Sequence, residues 1–148
     1  MNTQIRKVSL TDIDQLATLF DNYRIFYKKQ SDIEGAKKFL TERIKQNEST
    51  ILIAEVNDEL VGFTQLYPVF SSTNMKRLLI LNDLFINALH RGKGISKQLI
   101  ESAKQIARSC NSSGLMLETE KSNAIGNQLY PSIGFELNRT NNFYFWEC

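Results

Sequence analysis

The feature of the sequence that most constrains the fold is an apolar segment that leads through a glycine-containing loop into an amphipathic helix. The apolar segment ends at Ile86, the loop contains Gly92 and Gly94, and the helix begins beside the second glycine. This order turns several backbone N–H groups toward one point, with the positive end of the helix dipole behind them. Glycine suits such a loop because a Cβ would obstruct the close approach of an anion. The segment therefore predicts a strand–loop–helix unit that binds a pyrophosphate, the alternative being an ordinary helix N-terminus after a flexible loop.

Two common phosphate-binding motifs are excluded for this loop. The P-loop string G-x-x-x-x-G-K-[ST] does not occur in the sequence. The dinucleotide fingerprint G-x-G-x-x-G fails as well, because Lys97 stands where its third glycine belongs. What remains is the pattern R-x-x-G-x-[GA], read here as R-G-K-G-I-S over residues 91–96, with Ser96 in place of the final glycine or alanine.

A second pattern follows about thirty residues further along the chain. Residues 123–135 read N-A-I-G-N-Q-L-Y-P-S-I-G-F and fit N-x-x-[AG]-x-x-L-Y-x-x-x-G-F. The two patterns together resemble the GCN5-related N-acetyltransferases, the GNAT superfamily, in which the first is the coenzyme A pyrophosphate loop. The resemblance implies that residues 1–148 form a single N-acetyltransferase domain of the α/β class. Its fold would be a mixed, mostly antiparallel central sheet with helices on both faces, and acetyl-CoA would be its co-substrate.

The resemblance also implies which residues hold the acetyl-CoA. In this family the strand before the loop diverges from the next strand, and the pantetheine arm enters the gap. The backbone of residues 84–86 would then hydrogen-bond the pantetheine, while the loop binds the pyrophosphate. Asn123 would hydrogen-bond the pantetheine region, and Gly126 would let the last helix approach the cofactor. The implied cofactor-binding residues are Leu84, Phe85, Ile86, Arg91, Gly92, Lys93, Gly94, Ile95, Ser96, Asn123, Gly126 and Tyr130.

Tyr130 is the candidate for the general acid of acetyl transfer. A phenol and a thiol have similar intrinsic pKa values, so a tyrosine can give its proton to the departing sulfur at little cost. The alternative is a half-buried tyrosine that only packs under the sheet. Pro131 follows directly and removes one amide donor from the helix, which departs from the family's pattern.

Asp83 is the leading candidate for the base that deprotonates the amine, or for the anchor of its ammonium group. A carboxylate in an apolar strand is costly unless it is paired, which points to function. The place resembles that of an E-D pair in polyamine acetyltransferases, but Asn82 occupies the first position and an amide cannot accept a proton. A structural aspartate, Glu118 as the base, and deprotonation through water are the alternatives.

The acceptor amine is expected to lie beside the end of the first helix. Tyr23, Phe26 and Tyr27 form an aromatic stripe there, where the family has its acceptor site, although core packing explains such stripes as well. Tyr67 and Phe70, in the predicted loop after the third strand, are further lining candidates. The substrate-binding candidates are therefore Tyr23, Phe26, Tyr27, Asp83 and Glu118.

Composition limits the partners of the chain. The net charge is +2 and the charges are interspersed, so we expect neither nucleic-acid binding nor membrane binding. Cys110 and Cys148 indicate free thiols in a reducing cytoplasm. His90 is the only histidine and is interpreted as loop surface, so no metal site is expected.

The aromatic run at residues 143–146 predicts a homodimer interface.

Apolar periodicity and turn signals predict the element order β-α-α-β-β-β-α-β-α-β-β. Thr11 and a capping box at residues 31–34 mark the starts of the first two helices. Strands are predicted at residues 5–8, 50–56, 60–67, 77–86 and 115–119, with a closing hairpin at 135–138 and 143–147; the last two helices are predicted at residues 94–110 and from 122 or 123 to Gly134.

The predicted function is N-acetyl transfer from acetyl-CoA to a primary amine of a small molecule or of a protein or peptide. The amine would attack the thioester directly. The alternative is a non-catalytic acyl-CoA-binding regulatory module on the same fold.

Overall fold

The computed structural model describes residues 2–148. The elements are β1 (Gln4–Lys7), α1 (Ile13–Phe26), α2 (Ile33–Lys45), β2 (Thr50–Val56), β3 (Glu59–Ser71), β4 (Lys76–Ile86), α3 (Ile95–Ser109), β5 (Leu115–Met116) and α4 (Ala124–Ser132). Short 3-10 turns at Leu10–Asp12 and Ala88–His90 precede α1 and the glycine loop. The chain forms two compact units, one up to Leu117 and one from Glu118 to Cys148. The described helices contain no segment long and apolar enough to cross a bilayer.

The first unit is built on a five-stranded sheet in the order β1-β2-β3-β4-β5. The pairs β1–β2, β2–β3 and β3–β4 are antiparallel. β5 runs parallel to β4 and pairs with it only at Leu79↔Leu115 and Ile80↔Met116. This confirms the predicted mixed, mostly antiparallel sheet.

Helices cover both faces of the sheet, as predicted. On one face Phe63 of β3 is completely buried and its ring lies 5.9 Å from the ring of Phe20 in α1. On the other face a Cβ at Gly62 would contact Leu99 of α3. Adjacent residues of a strand point to opposite faces, so the two contacts place α1 and α3 on opposite sides. The residues that α3 buries are Ile95, Leu99, Ile100, Ala103 and Ala107.

One buried carboxylate ties α1 to α2. Asp21 is 3% exposed and accepts hydrogen bonds from the Ser31 hydroxyl and the Asp32 backbone N–H, both at 2.7 Å. The backbone donor from Asp32 is the main reason why the pKa of Asp21 lies below its ordinary value. The predicted capping box is wrong by one residue, because Asp32 and not Ser31 caps α2 by accepting from the Gly35 N–H at 2.9 Å. Ser31 instead donates its hydroxyl to Asp21 and so connects the start of α2 to α1.

Three strand predictions need correction. β3 continues past the predicted end at Tyr67, through Pro68 to Ser71, so Phe70 lies in a strand and not in a loop. β5 covers two residues rather than five. The closing hairpin at residues 135–138 and 143–147 is wrong, since no described residue after Ser132 belongs to a strand or helix. A hairpin on its own is marginal in water, and residues 118–148 contain no strand that could support one.

Candidate active site

A β-bulge in β4 aims the carboxylate of Asp83 at the face of the sheet that α1 covers. Gln65 pairs with Asp83 and Leu66 pairs with Leu81, so Asn82 has no cross-strand partner. Such an extra residue bends the strand and redirects the neighbouring side chains. Thr64 reinforces the bend, because its hydroxyl donates to the backbone carbonyl of Asp83 at 2.8 Å. The side chain of Asp83 is consequently buried, with 5% of the residue exposed.

Three polar side chains surround the Asp83 carboxylate. Gln65 donates Nε2 to Oδ2 at 2.8 Å, and Asn82 donates Nδ2 to Oδ1 at 3.0 Å. The hydroxyl of Tyr23 in α1 lies near the carboxylate and also lowers its pKa. Burial raises the pKa of Asp83 and outweighs the lowering by these three side chains. Asp83 therefore holds a proton more readily than an exposed aspartate, which suits a proton acceptor.

Aromatic rings extend from this carboxylate to the surface. The ring of Tyr23 lies 5.1 Å from that of Tyr27 and 5.9 Å from that of Phe85, and Phe26 lies 6.4 Å from Phe85. Tyr23 packs on the core, whereas Phe26 and Tyr27 are 61% and 48% exposed. The stripe therefore contains both core packing and an exposed apolar wall. We call Tyr23, Phe26, Tyr27 and Phe85 the aromatic wall.

Of the two further lining candidates, only Tyr67 lies near the carboxylate. Burial and the charge of Asp83 raise the pKa of Tyr67 to about 12, and the same two causes raise the pKa of Tyr23 further still. Both phenols are therefore neutral at physiological pH. Phe70 pairs with Arg77 toward the far end of the β3–β4 hairpin and is 74% exposed, so it does not join this cluster.

The glycine loop has the backbone conformation that its sequence requires. Gly92 and Gly94 have φ angles of 74° and 77°, in the left-handed region that favours glycine. Gly94 caps α3, and a Cβ at either glycine would meet no atom within 4 Å. The first backbone N–H groups of a helix have no intrahelical acceptor. Ile95, 1% exposed, anchors the helix start, and Ser96 follows it in the first turn. The loop thus presents amide donors to an open space and fits a phosphate group.

The two cations of the loop contact nearby carbonyl groups. Arg91 donates Nε to the backbone oxygen of Ile86 at 3.0 Å, and its guanidinium lies 5.5 Å and 5.4 Å from the ring centroids of Phe26 and Phe85. Lys93 donates Nζ to the Leu89 carbonyl at 3.1 Å. Arg91 therefore connects the loop to the aromatic wall, a contact that the sequence did not indicate.

The last residues of β4 have an open edge toward β5. Pairing between these strands stops at Ile80, so the edge of residues 81–86 has no strand partner among the described residues. Leu84, Phe85 and Ile86 lie in this stretch, and all three pair with β3 on the other side. β4 therefore continues beyond its last pairing with β5, in the stretch that leads to the loop.

The remaining candidates lie in the second unit. Asn123 caps α4: its Oδ1 accepts from the Gly126 N–H at 3.1 Å and its Nδ2 donates to Thr119 at 2.8 Å. A Cβ at Gly126 would collide with the Asn123 side chain, so this cap by itself requires glycine. Tyr130 is partly buried with its ring 5.8 Å from that of Phe135, and Glu118 is exposed. Gly134, with φ of 98°, ends the helix as predicted.

Sequence reasoning missed Gln65, the buried partner of Asp83. A signal was present, since Gln65 interrupts the apolar residues of β3 at a position that alternates with Phe63 and Tyr67. A polar side chain on the covered face of a strand needs a partner. The sequence does not reveal that partner, because the pairing depends on the register set by the bulge.

Comparisons with known proteins agree over most of the chain. Residues 15–135 match the family model of the Acetyltransferase (GNAT) family. The chain is 46% identical over 132 residues to the uncharacterized N-acetyltransferase YhfO of Bacillus subtilis, with 89% of each protein covered. It is 32% identical to a probable acetyltransferase of Haemophilus influenzae, again with 89% of both covered. The crystal structure of a probable acetyltransferase superposes with a TM-score of 0.94 at 36% identity, over 98% of this chain and 97% of that one.

Proposed function

Because the chain belongs to the acetyltransferase (GNAT) family, we propose that it transfers the acetyl group of acetyl-CoA to a primary amine. The observation that carries this proposal is the pair of left-handed glycines, Gly92 and Gly94, that opens α3 onto unfilled space. Backbone amides at a helix start suit the pyrophosphate of coenzyme A. The acceptor is a small molecule or a protein or peptide amine.

The loop and the end of β4 are the proposed cofactor site in the first unit. Residues 91–96 would bind the pyrophosphate mainly through backbone amides, and Arg91 and Lys93 add positive charge beside it. The unpaired edge of residues 84–86 leaves backbone groups for the pantetheine. In the second unit, Asn123 and Gly126 are retained as cofactor candidates, although their contacts with each other already account for both residues.

Asp83 is the proposed base or ammonium anchor. The carboxylate of Asp83 is buried, whereas Glu118 is exposed. The adjoining aromatic wall suits a cationic or partly apolar amine, because aromatic faces attract ammonium groups. Asp83 takes one proton from the ammonium, and the neutral nitrogen then attacks the thioester carbonyl carbon. The C–N bond forms, the C–S bond breaks, and the nitrogen gives its second proton to water as the neutral amide forms.

Tyr130 is the proposed general acid that protonates the departing thiolate. Its hydroxyl proton passes to the sulfur, and solvent returns a proton to the phenolate. The matched pKa values of phenol and thiol support this assignment. Deprotonation of the amine through water remains the alternative to Asp83.

A non-catalytic acyl-CoA-binding module is the rival function. It would need the glycine loop and no proton-transfer groups. The buried carboxylate of Asp83 is costly and accepts hydrogen bonds from the side-chain amides of Gln65 and Asn82, an arrangement that phosphate binding does not require. We therefore favour the enzyme.

We further propose a cytoplasmic homodimer. Phe143, Tyr144, Phe145 and Trp146 are 74%, 91%, 91% and 82% exposed, and a run of exposed aromatic residues favours an interface. Cys110 and Cys148 are free and exposed, which suits a reducing compartment.

Release of free thiol from acetyl-CoA across a panel of amines tests the function directly. The panel should contain diamines, amino acids, aminoglycosides and peptides with a free N-terminus or lysine. Turnover that depends on one amine class supports the enzyme. Tight acetyl-CoA binding without thiol release for any amine would instead support the non-catalytic module.

A further inference from the structure

A series of hydrogen bonds leads from the start of β2 to the buried carboxylate of Asp83. Ser49 donates its hydroxyl to Oε1 of Gln65 at 2.8 Å, and Gln65 donates Nε2 to Oδ2 of Asp83 at 2.8 Å. Gln65 is completely buried. Because the serine hydroxyl occupies the carbonyl end of the amide, the NH₂ end faces the carboxylate. That orientation stabilises the ionised form of Asp83.

We propose that Gln65 is a positioning residue for acetyl transfer: oriented by Ser49, it keeps Asp83 in the ionised form that accepts the proton of the amine. The inference rests on the proposed function, because it takes Asp83 to be the base. Neither Gln65 nor Ser49 belongs to the two sequence patterns, so the assignment comes from the contacts alone.

Burial makes the donor from Gln65 hard to replace. Asn82 also donates to Asp83, but it is exposed, so water can take its place. Water has no comparable access to Oδ2, which lies against a side chain with 0% exposure. The contribution of Gln65 to the ionised form is therefore larger than that of Asn82, although the two hydrogen bonds have similar lengths.

The titratable groups that face Asp83 supply no positive charge that would hold it ionised. Tyr23 of α1 and Tyr67 of β3 are the titratable neighbours, and both have pKa values raised by burial and by the charge of Asp83. They are neutral at physiological pH. Arg43 of α2 acts on Tyr67 and is not among the groups that shift Asp83. The ionised carboxylate thus depends on neutral donors, of which Gln65 is the most deeply buried.

The test is the pH dependence of kcat/KM for thiol release by wild type, Gln65→Leu, Ser49→Ala and Asn82→Ala. In Gln65→Leu the acidic limb of the kcat/KM profile should move to higher pH by about one to two units, which corresponds to the loss of one hydrogen bond to a charged group. Ser49→Ala, which leaves the buried amide in place, should move it in the same direction by less. Asn82→Ala is the matched control and should shift it by less than about half a pH unit.

A second readout does not depend on turnover. The ¹³C carboxyl resonance of Asp83, assigned by its loss in Asp83→Asn, should titrate at higher pH in Gln65→Leu than in wild type. Equal titration in the two proteins would overturn the inference, as would a uniform loss of activity without movement of the acidic limb. A wild-type protein that releases no thiol with any amine would overturn the proposed function instead. The carboxyl titration then decides alone whether Gln65 holds Asp83 ionised.

Discussion

Gly94→Glu should abolish the stabilisation of this protein by acetyl-CoA. Gly94 has a φ angle of +77° and caps α3, and a Cβ at this position would meet no protein atom within 4 Å. The new side chain therefore has room within the fold. It places a negative charge in the space proposed for the pyrophosphate, so the expected effect is on binding more than on folding.

The two effects can be separated by their size. A left-handed conformation costs a non-glycine residue about 1–2 kcal/mol. In a chain of this length each kcal/mol changes Tm by roughly 2–4 °C, so Gly94→Glu alone should melt about 2–8 °C below wild type. Acetyl-CoA at a hundredfold excess over Kd stabilises wild type by about 2.7 kcal/mol, or a rise of roughly 5–11 °C. That rise should be absent in the variant.

Thermal melts with and without acetyl-CoA measure both effects. Gly114→Glu is the matched control, because it adds the same charge where φ is not left-handed and where a Cβ makes only ordinary contact with Leu78. It should keep the full acetyl-CoA shift. An equal shift in Gly94→Glu and wild type would refute the assignment of the loop. Stabilisation by NAD or ATP but not by acetyl-CoA would refute the assignment of acetyl-CoA as the ligand of the loop.

Four further predictions concern Tyr130, Asp83 and the aromatic run at residues 143–146. Tyr130→Phe should lower kcat by roughly 10²–10⁴-fold and leave acetyl-CoA affinity nearly unchanged, because only the acidic hydroxyl is lost; near wild-type kcat would remove the tyrosine from the mechanism. Asp83→Asn should raise the apparent pH optimum if Asp83 is the base, or the KM for the amine if it is the anchor, and unchanged kinetics would exclude both roles. The pKa of Asp83 is raised in the folded protein, so its contribution to stability is present at low pH and is lost as the pH rises through that pKa. In urea titrations, wild type should therefore lose stability relative to Asp83→Asn above about pH 4. Static light scattering at high micromolar concentration should give the mass of a dimer, and a monomer would contradict the interface assigned to residues 143–146.

The parts of the fold that the sequence predicted are those governed by local signals. The glycine pair, the helix that it opens and the terminating Gly134 follow from backbone conformations that few other residues adopt. Pro68 misled the prediction because proline usually ends a strand, yet β3 passes through it beside Leu79. The closing hairpin was predicted from aromatic residues with high strand propensity. Propensity supplies no strand partner, and the described chain contains none for these residues.

The candidate site was predictable only in part, for a related reason. Asp83 could be predicted because a carboxylate is unusual in an apolar strand, and Tyr23, Phe26 and Tyr27 because they form an aromatic stripe at the end of a helix. Their connection through Tyr23, and the role of Gln65, depend on which residues face each other across α1, β3 and β4. The bulge at Asn82 sets that register, and no periodicity in a single sequence reveals a one-residue bulge.

The exposed aromatic run has a consequence for spectroscopy. Trp146 is the only tryptophan in the chain, and 82% of it is exposed. Intrinsic tryptophan emission therefore reports on the last residues of the chain and on nothing in the sheet. The emission of the free protein should be that of an indole in water, and a shift to shorter wavelength would register whatever comes to cover this segment. Unfolding of the first unit has to be followed by circular dichroism or by tyrosine signals instead.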